Sequence, residues 1–507
     1  MSSNYRITLG TSGHIELYFP YSETRDQISL RFQGAFYDWP GHCWKAPYSS
    51  HNLQAAKEWA QRYYLQIEPE RWLSDSAYDQ DVLMPLYRES LALQPQKPLE
   101  PIREIRGNLY PFQEVAIQYA LKRKRCFIAD PSGTGKTVVA LASVAMSRAF
   151  PLVVVCPPRL LSHWQAEIAK WFPGWPVQVL KGAGLQGNQR AYLVSYSQLQ
   201  KYLQSLDGLR LRSIIFDESH RLKGYETRQT KLATELAKRI DYRFLLTASP
   251  VVNRPADLIS QLKVMGRWDV LVNVRYFSET YCGAWYDGGD TSPSGAGNLS
   301  RLVEQLRIYC MVRRTEEQLV AYLPGKIVTP VYLQTDQQID NLWNTWFRSS
   351  TPDVQALRRN AYQIKRSAVI EWLQGARSLE GKTVVFGYHA EYVRELAAIF
   401  SGLLVTGDHS LKQIQETILD FRNDPDTKFL FLTYGIGSQG WQLDFAARVV
   451  LVELDWSDST HQRAEGRLSS LVRKKTIRVY RLLARGTYED HMLSIIEEKR
   501  ARDARES

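Results

Sequence analysis

No run of this sequence is long and apolar enough to cross a bilayer; its longest apolar stretches, such as Leu152 to Cys156, have the length of a strand. Met1 to Gly13 is polar, so no secretory signal is expected there. Cysteine is sparse. Cys43, Cys126, Cys156, Cys282 and Cys310 stand without paired spacing, which argues against a zinc ribbon or a disulfide framework and suits a reducing compartment. Acidic and Ser-rich tails are also missing. These absences lead to the expectation of a soluble cytoplasmic protein, and the compact length leans toward a bacterial or phage source.

Negative charge is in deficit as well. Sixty-four Lys and Arg against 53 Asp and Glu leave a net charge of +11, which favours an anionic polymer as partner. A 44% hydrophobic share with only 23% charged residues excludes a largely disordered chain. At 507 residues the length suggests about three domains.

What is present is more specific. Asp130-Pro131-Ser132-Gly133-Thr134-Gly135-Lys136-Thr137 follows an apolar run, Cys126 to Ala129, and precedes a helical pattern over Val138 to Met146. Strand, Gly-rich loop, Lys-Thr and helix make a phosphate loop. Gly133 and Gly135 let backbone N–H groups close around phosphate oxygens, Lys136 can reach the β- and γ-phosphates, and Thr137 can ligate Mg²⁺. The first position holds Asp130 where the strict pattern has Gly. Some eighty residues on, Ile214-Ile215-Phe216 ends in Asp217-Glu218-Ser219-His220, a carboxylate pair placed to hold a metal and polarise a water. The two motifs point to hydrolysis of ATP with Mg²⁺.

From about 107 onward short apolar strands alternate with helical segments. Strands are expected at 126–129, 151–156, 191–195, 212–216 and 243–247, and in a second series near 383–386, 402–405, 428–432, 448–453 and 476–483. Only the first series carries a phosphate loop, so the nucleotide is expected in a cleft between two lobes. Residues 286–298 read as a loop within a helical insertion. Before 66, strand-like Ile15 to Phe19, a turn at Pro40-Gly41 and a helical pattern over Leu53 to Tyr64 form a small unit. Pro69, Pro85, Pro95, Pro98 and Pro101 then punctuate a linker.

Motif by motif, Leu109 to about Lys499 resembles the Swi/Snf-type ATPases of helicase superfamily two. Leu109-Tyr110-Pro111-Phe112-Gln113 is similar to the motif whose glutamine reads adenine. Asp130 is the residue usual for this family at the head of the loop. Val154 to Leu161 with His163-Trp164 resembles motif Ia, and Val194-Ser195-Tyr196 the next DNA-facing motif. Asp217 to Lys223 resembles motif II, with Ser219 where Ala is commoner. Leu246-Thr247-Ala248-Ser249-Pro250 with Asn253-Arg254-Pro255 resembles motif III, and Met311-Val312-Arg313-Arg314 the arginine pair ahead of the second lobe. Gly435 to Leu443 resembles motif V, and Asp455-Trp456 leads to motif VI at Arg463 to Arg467. Ser470 stands where motif VI carries its second arginine, and Arg473 follows. Around Gly34 to Asp38 and Cys43 to Pro47, with Tyr18 to Tyr21 before them, the start of the chain resembles the HARP domain of annealing helicases.

The resemblance implies an α/β protein with two RecA-like lobes, parallel sheets flanked by helices, a helical insertion and a small N-terminal α+β domain. Its domains would be a HARP-like accessory domain at 1–65, a linker at 66–106, lobe one at 107–325 with the insertion at about 256–325, and lobe two at 326–507. It also implies a DNA-dependent ATPase that moves along double-stranded DNA and rewinds or remodels forked or displaced-strand substrates. A motor that strips protein such as RNA polymerase from nucleic acid, and a DNA-binding protein silenced at Ser470, are the alternatives. Lys136, Asp217, Glu218 and Arg467 would be catalytic, with Gln113 and 130–137 around the nucleotide and Thr137 and Asp217 on Mg²⁺. Arg159, Trp164, Lys223 and Trp456 would face DNA, although Trp164, one helical turn from Ile168, reads equally as core. The cationic set Arg473, Lys474, Lys475, Arg478, Arg481 and Arg485 reads either as a DNA-tracking face or as the solvated side of a strand. Arg467 is expected to act as the arginine finger, with Arg473 facing DNA.

Overall fold

The structure, a computed structural model, describes residues 6–9, 14–19, 27–28, 30–38, 43–47, 49–63, 67–68, 84–182, 184–224, 226–248, 250, 255–267, 277, 281, 299–334, 354–437, 441–455, 458–487, 489–490, 492–494 and 496. The chain forms two compact units. Met1–Asp130 and Lys136–Arg314 make the first; Pro131–Gly135 and Thr315–Ser507 make the second.

Five short strands open the first unit: β1 (Arg6–Leu9), β2 (His14–Tyr18), β3 (Phe36–Asp38), β4 (Cys43–Pro47) and β5 (Ile67–Glu68). They lie in the order β3-β4-β2-β1-β5, with β1 and β5 parallel and the other neighbours antiparallel. The helix Ser50–Tyr63 sets Trp59 against Phe19 and Phe32, and these rings fill one core with Ile15, Leu17 and Trp44. Trp44 and Phe19, two of the aromatics that carry the HARP-like pattern, are therefore core residues. Within the stretch read as a linker, Met84–Leu91 is helical and packs on the helix Pro111–Arg123.

The main sheet follows. Its strands are β6 (Arg125–Ile128), β7 (Leu152–Cys156), β8 (Val177–Val179), β9 (Ala191–Ser195), β10 (Ser213–Asp217), β11 (Tyr242–Leu246) and β12 (Met311–Val312). All are parallel, in the order β12-β6-β11-β10-β7-β9-β8. β7 and β9 are buried at every position, the pattern of strands covered on both faces. The helices Asp257–Met265 and Leu299–Tyr309 fall in the stretch expected to be a helical insertion, and β12 then returns the chain to the sheet beside β6. The loop expected at 286–298 lies outside the described residues. Cys43, Cys126, Cys156 and Cys310 are all buried here as free thiols, and burial pushes the first three up from the usual thiol range.

In the second unit β13 (Lys326–Leu333), β14 (Thr383–Gly387), β15 (Leu403–Val405), β16 (Phe429–Thr433), β17 (Arg448–Leu451) and β18 (Ile477–Ala484) form another parallel sheet, in the order β13-β18-β17-β14-β16-β15. Lys365, on the helix Val354–Arg377, is fully buried and donates to both carboxylate oxygens of Glu489 and to the Leu482 carbonyl. That pair ties the end of the described chain to the sheet. Five of the six strands here and five of the seven in the main sheet lie where the apolar runs placed them.

Candidate active site

In a parallel sheet all strands end on one side, and ligands bind at those carboxyl ends. The order β6-β11-β10-β7 sets four motifs next to one another: the phosphate loop after β6, the Thr247 segment after β11, the acidic pair after β10 and the Arg159 segment after β7.

The loop turns on Gly133 and Gly135, both at φ 81°, a left-handed conformation that side chains disfavour. The helix Lys136–Ser147 begins at once, buried from Val138 to Val144, so the positive end of its dipole lies at the loop. Thr134 Oγ1 donates to the Pro131 carbonyl at 2.8 Å, and Lys136 Nζ to the Asp130 carbonyl at 2.9 Å. Ser132 and Thr137 are half-buried at the surface of the site.

Asp130 has a different task from the rest of the loop. Its carboxylate, 2% exposed, accepts from the backbone N–H of Arg314 at 2.8 Å and from Nη1 of Arg314 at 2.5 Å. Arg314 is fully buried; Nη2 donates to the Phe112 carbonyl at 3.0 Å and Nε to the Ala92 carbonyl at 3.3 Å. The aspartate thus faces the protein and not the nucleotide side of the loop, which is why a glycine would not serve at this position: the guanidinium would lose its counter-charge. The sequence showed both residues but not that they pair across 184 positions.

Gln113 is 2% exposed, and its Oε1 accepts the Tyr110 N–H at 2.9 Å, capping the helix Pro111–Arg123. The carbonyl end of the side chain is therefore engaged in the helix start.

Motif II is held on every side. Asp217 Oδ1 accepts the Glu218 N–H at 2.8 Å, Oδ2 accepts Nε1 of Trp164 at 2.8 Å, and the Asp217 carbonyl accepts the Tyr196 hydroxyl at 2.9 Å. Desolvation, then the neighbouring Glu218 charge, push the Asp217 carboxyl up to about 6 against the opposing hydrogen bonds. A buried carboxylate held beside a second acidic charge suits a divalent cation, which would offset that charge. Glu218 sits at φ 50°, ψ 49°, a left-handed conformation for a non-glycine residue of the kind that costs about 1–3 kcal/mol and collects at active sites. Its Oε2 lies 3.3 Å from His220 Nδ1, which in turn lies 3.3 Å from Thr247 Oγ1, so the acidic pair and the β11 end share one polar chain.

Ser219 also has a physical account. Its buried hydroxyl donates to Gln261 Oε1 at 2.9 Å, and Gln261 Nε2 donates to the Pro250 carbonyl at 2.9 Å. Alanine, the commoner residue in motif II of the resembling family, would leave the buried carboxamide oxygen short of a donor. Ser219→Ala should lower unfolding free energy by about 1–3 kcal/mol, while Ser219→Ala with Gln261→Leu should recover part of it. Denaturant titration of the three proteins measures this, and a loss for the single variant below about 0.5 kcal/mol would dismiss the network.

Three DNA-facing expectations meet the structure differently. Arg159 is half-buried in the turn Pro158–Leu160, and Lys223 is exposed. Trp164 is corrected: it is fully buried among Leu160, Leu161 and Ile168, offers no surface to DNA, and spends its N–H on Asp217. Trp456 lies outside the described residues.

In the second unit the Arg467 carbonyl accepts the Leu443 N–H at 2.9 Å, and Arg467 itself is half-buried. Beside it Glu465 is fully buried between Arg481, at 3.2 Å, and Lys326, at 3.3 Å. Ser470 is 5% exposed, and its hydroxyl has no hydrogen-bond partner among the described residues. Arg473 is a second correction. Its guanidinium donates to the carbonyls of Asp444, Ala446, Ala447 and Lys475, clamping the turn before β17, so it is not presented to DNA. Of the remaining cations, Arg481 is buried, whereas Lys474, Lys475, Arg478 and Arg485 are exposed. On β18 itself Arg478 faces out and Arg481 in; Lys474, Lys475 and Arg485 flank the strand.

Among the described residues no group of three or more His, Cys, Asp or Glu side chains is gathered for a further metal, and no helix is long and apolar enough to cross a membrane.

Two parallel sheets flanked by helices, one bearing a Gly-rich loop after β6 and an Asp-Glu pair at the end of β10 with β11 between them, define an α/β core of the RecA-like kind. The chain belongs to the SNF2-related family, whose SNF2-related domain matches residues 60–383. It is 24% identical over 437 residues to the DNA annealing helicase and endonuclease ZRANB3 of Homo sapiens, covering 78% of this chain and 40% of that protein. It is 26% identical over 421 residues to the SWI/SNF-related matrix-associated actin-dependent regulator of chromatin subfamily A-like protein 1 of Xenopus laevis, covering 78% of this chain and 43% of that protein. The chain thus spans about two fifths of the length of these relatives. A solved Sulfolobus solfataricus SWI2/SNF2 ATPase core in complex with dsDNA matches 80% of this chain and 94% of its own length, with 21% identity and a TM-score of 0.42.

Proposed function

We propose that the chain is a DNA-dependent ATPase that translocates on double-stranded DNA and rewinds or remodels forked or displaced-strand DNA. The observation that carries the hydrolytic part is the placement of the Lys136 loop and the Asp217-Glu218 pair at the ends of β6 and β10, with only β11 between them. The annealing part is supported by the similarity to proteins named as annealing helicases and by the HARP-like pattern at the start of the chain.

In this reading the loop N–H groups and the start of the helix Lys136–Ser147 bind the phosphates, and Lys136 exchanges the Asp130 carbonyl for a phosphate oxygen. Thr137 and Asp217 would hold Mg²⁺, which would screen the phosphate charge. Glu218 orients the attacking water, with His220 holding its carboxylate toward Thr247. Arg467 offsets charge on the transferred phosphoryl group. Arg159 and Lys223 contact the DNA backbone, and charge rather than base identity governs that contact.

ATP turnover measured with no DNA, single-stranded, duplex and forked DNA tests the proposal, using the full chain and one that lacks residues 1–65. Turnover should be weak alone and rise with duplex and forked DNA. Removal of 1–65 should spare basal turnover and impair rewinding of a displaced strand. Turnover indifferent to all DNA would reject the translocase reading.

The two arginines of the second unit should separate cleanly. Arg467→Ala should lose DNA-stimulated turnover by about 10³- to 10⁵-fold. Arg473→Ala should change turnover little and lower stability by about 1–3 kcal/mol, because it strips hydrogen bonds from the turn before β17. Equal rate losses for both, with unchanged melting, would place Arg473 in the catalytic machinery.

A further inference from the structure

Trp164 is a buried aromatic whose polar atom reaches a carboxylate oxygen of the acidic pair. Its helix, Leu161–Trp171, packs on the helix Lys136–Ser147 and on β9, and its ring sits among Leu160, Leu161 and Ile168 with no exposure. An indole N–H in such a place needs an acceptor, and one left unpaired costs about 1–3 kcal/mol. Asp217 Oδ2 is that acceptor, at 2.8 Å. The bond runs between a side chain fixed by packing and a carboxylate at a strand end, so it sets where the carboxylate points.

The remaining contacts of Asp217 agree with that assignment. Oδ1 takes the Glu218 N–H, and the Tyr196 hydroxyl holds the main-chain carbonyl, with the Tyr196 ring stacked on Phe216. Oδ1 is held by the residue's own loop. Among the described residues the bond to the second oxygen from outside the motif comes from Trp164, in the segment that follows β7. Aromatic N–H donation to one carboxylate oxygen directs the remaining lone pairs outward, which is how an outer partner orients a metal ligand.

We propose that Trp164 is a positioning residue: its indole N–H orients Asp217 for the divalent metal and thereby sets the metal affinity of the nucleotide site. The inference rests on the reading of Asp217 as a Mg²⁺ ligand. Outer-shell partners of this kind are worth about 10- to 100-fold in metal affinity.

Binding of Mn²⁺, a paramagnetic stand-in for Mg²⁺, to the full chain in the presence of ADP is measured by electron paramagnetic resonance, for the parent and for Trp164→Phe. ADP affinity in the absence of metal is measured in parallel. The phenyl ring keeps the packing and deletes the donor. If Trp164→Phe does not fold, the same comparison is made with 3-benzothienylalanine at this position, which keeps the bicyclic shape and replaces N–H by sulfur. The expected result is an Mn²⁺ Kd raised about 10- to 100-fold with metal-free ADP affinity unchanged. Equal Mn²⁺ affinity in both proteins overturns the positioning role and leaves the Asp217 reading intact. Parallel loss of metal-free ADP binding also overturns it, since Trp164 would then be a general packing residue. A parent chain that binds ADP but no Mn²⁺ would overturn both.

Discussion

Glu218→Gln should bind ATP as the parent does and turn over almost none of it, whereas Lys136→Ala should lose both. The two substitutions remove different things. Glu218 contributes a carboxylate aimed through its left-handed backbone position, and glutamine keeps the shape while losing the charge that polarises water; positioned bases of this kind contribute about 10²- to 10⁴-fold. In the proposed reaction Lys136 supplies charge to the phosphates, so its loss should be felt at binding and at the transition state. Equilibrium binding of a fluorescent ATP analogue beside steady-state turnover separates the cases. A Glu218→Gln protein that hydrolyses at the parent rate would remove Glu218 from the mechanism.

The second large effect is expected far from any reacting atom. Arg314→Ala leaves the Asp130 carboxylate buried and uncompensated, together with two backbone carbonyls, at Phe112 and Ala92, that lose their donors. Breaking one side of a buried ion pair costs about 3–5 kcal/mol. The first unit should therefore unfold at distinctly lower denaturant, and the phosphate loop should lose nucleotide affinity because its first residue is no longer pinned. Asp130→Ala with Arg314→Met removes both charges and should recover much of the stability, as apolar replacements of buried pairs often do, but not the nucleotide affinity. An Arg314→Ala protein with unaltered unfolding would show that the pair holds nothing.

Much of this site could be read from residue order alone, because its chemistry is local. A strand, a Gly-rich turn and Lys-Thr occupy consecutive positions, and the acidic pair ends its own apolar run. The pairings that support the site join residues far apart in the chain. Nothing in the neighbourhood of Asp130 points to Arg314, and a serine in motif II signals that a partner exists without naming Gln261. Trp164 was undecided for a similar reason: a helical spacing to Ile168 says that a face is apolar, not whether it is covered. A cation in a basic run, such as Arg473, reads as solvated from sequence, because nothing local shows the backbone carbonyls around it. Among the strands, β13 escaped because Pro330 interrupts it and alternate residues are exposed, features an edge strand tolerates and a central strand does not. The short β12 has too few residues to show any periodicity.

The distribution of thiols turns the first unit into its own reporter. Cys43, Cys126, Cys156 and Cys310 are all enclosed there, and none of the described residues of the second unit is a cysteine. An alkylating reagent can reach these sulfurs only when the surrounding sheet opens. Cys43 times the small N-terminal sheet, while Cys126 and Cys156 time the central strands β6 and β7. Pulsed alkylation followed by peptide mass analysis would thus resolve, sulfur by sulfur, which layer loosens first and how much nucleotide slows it, without any label being introduced.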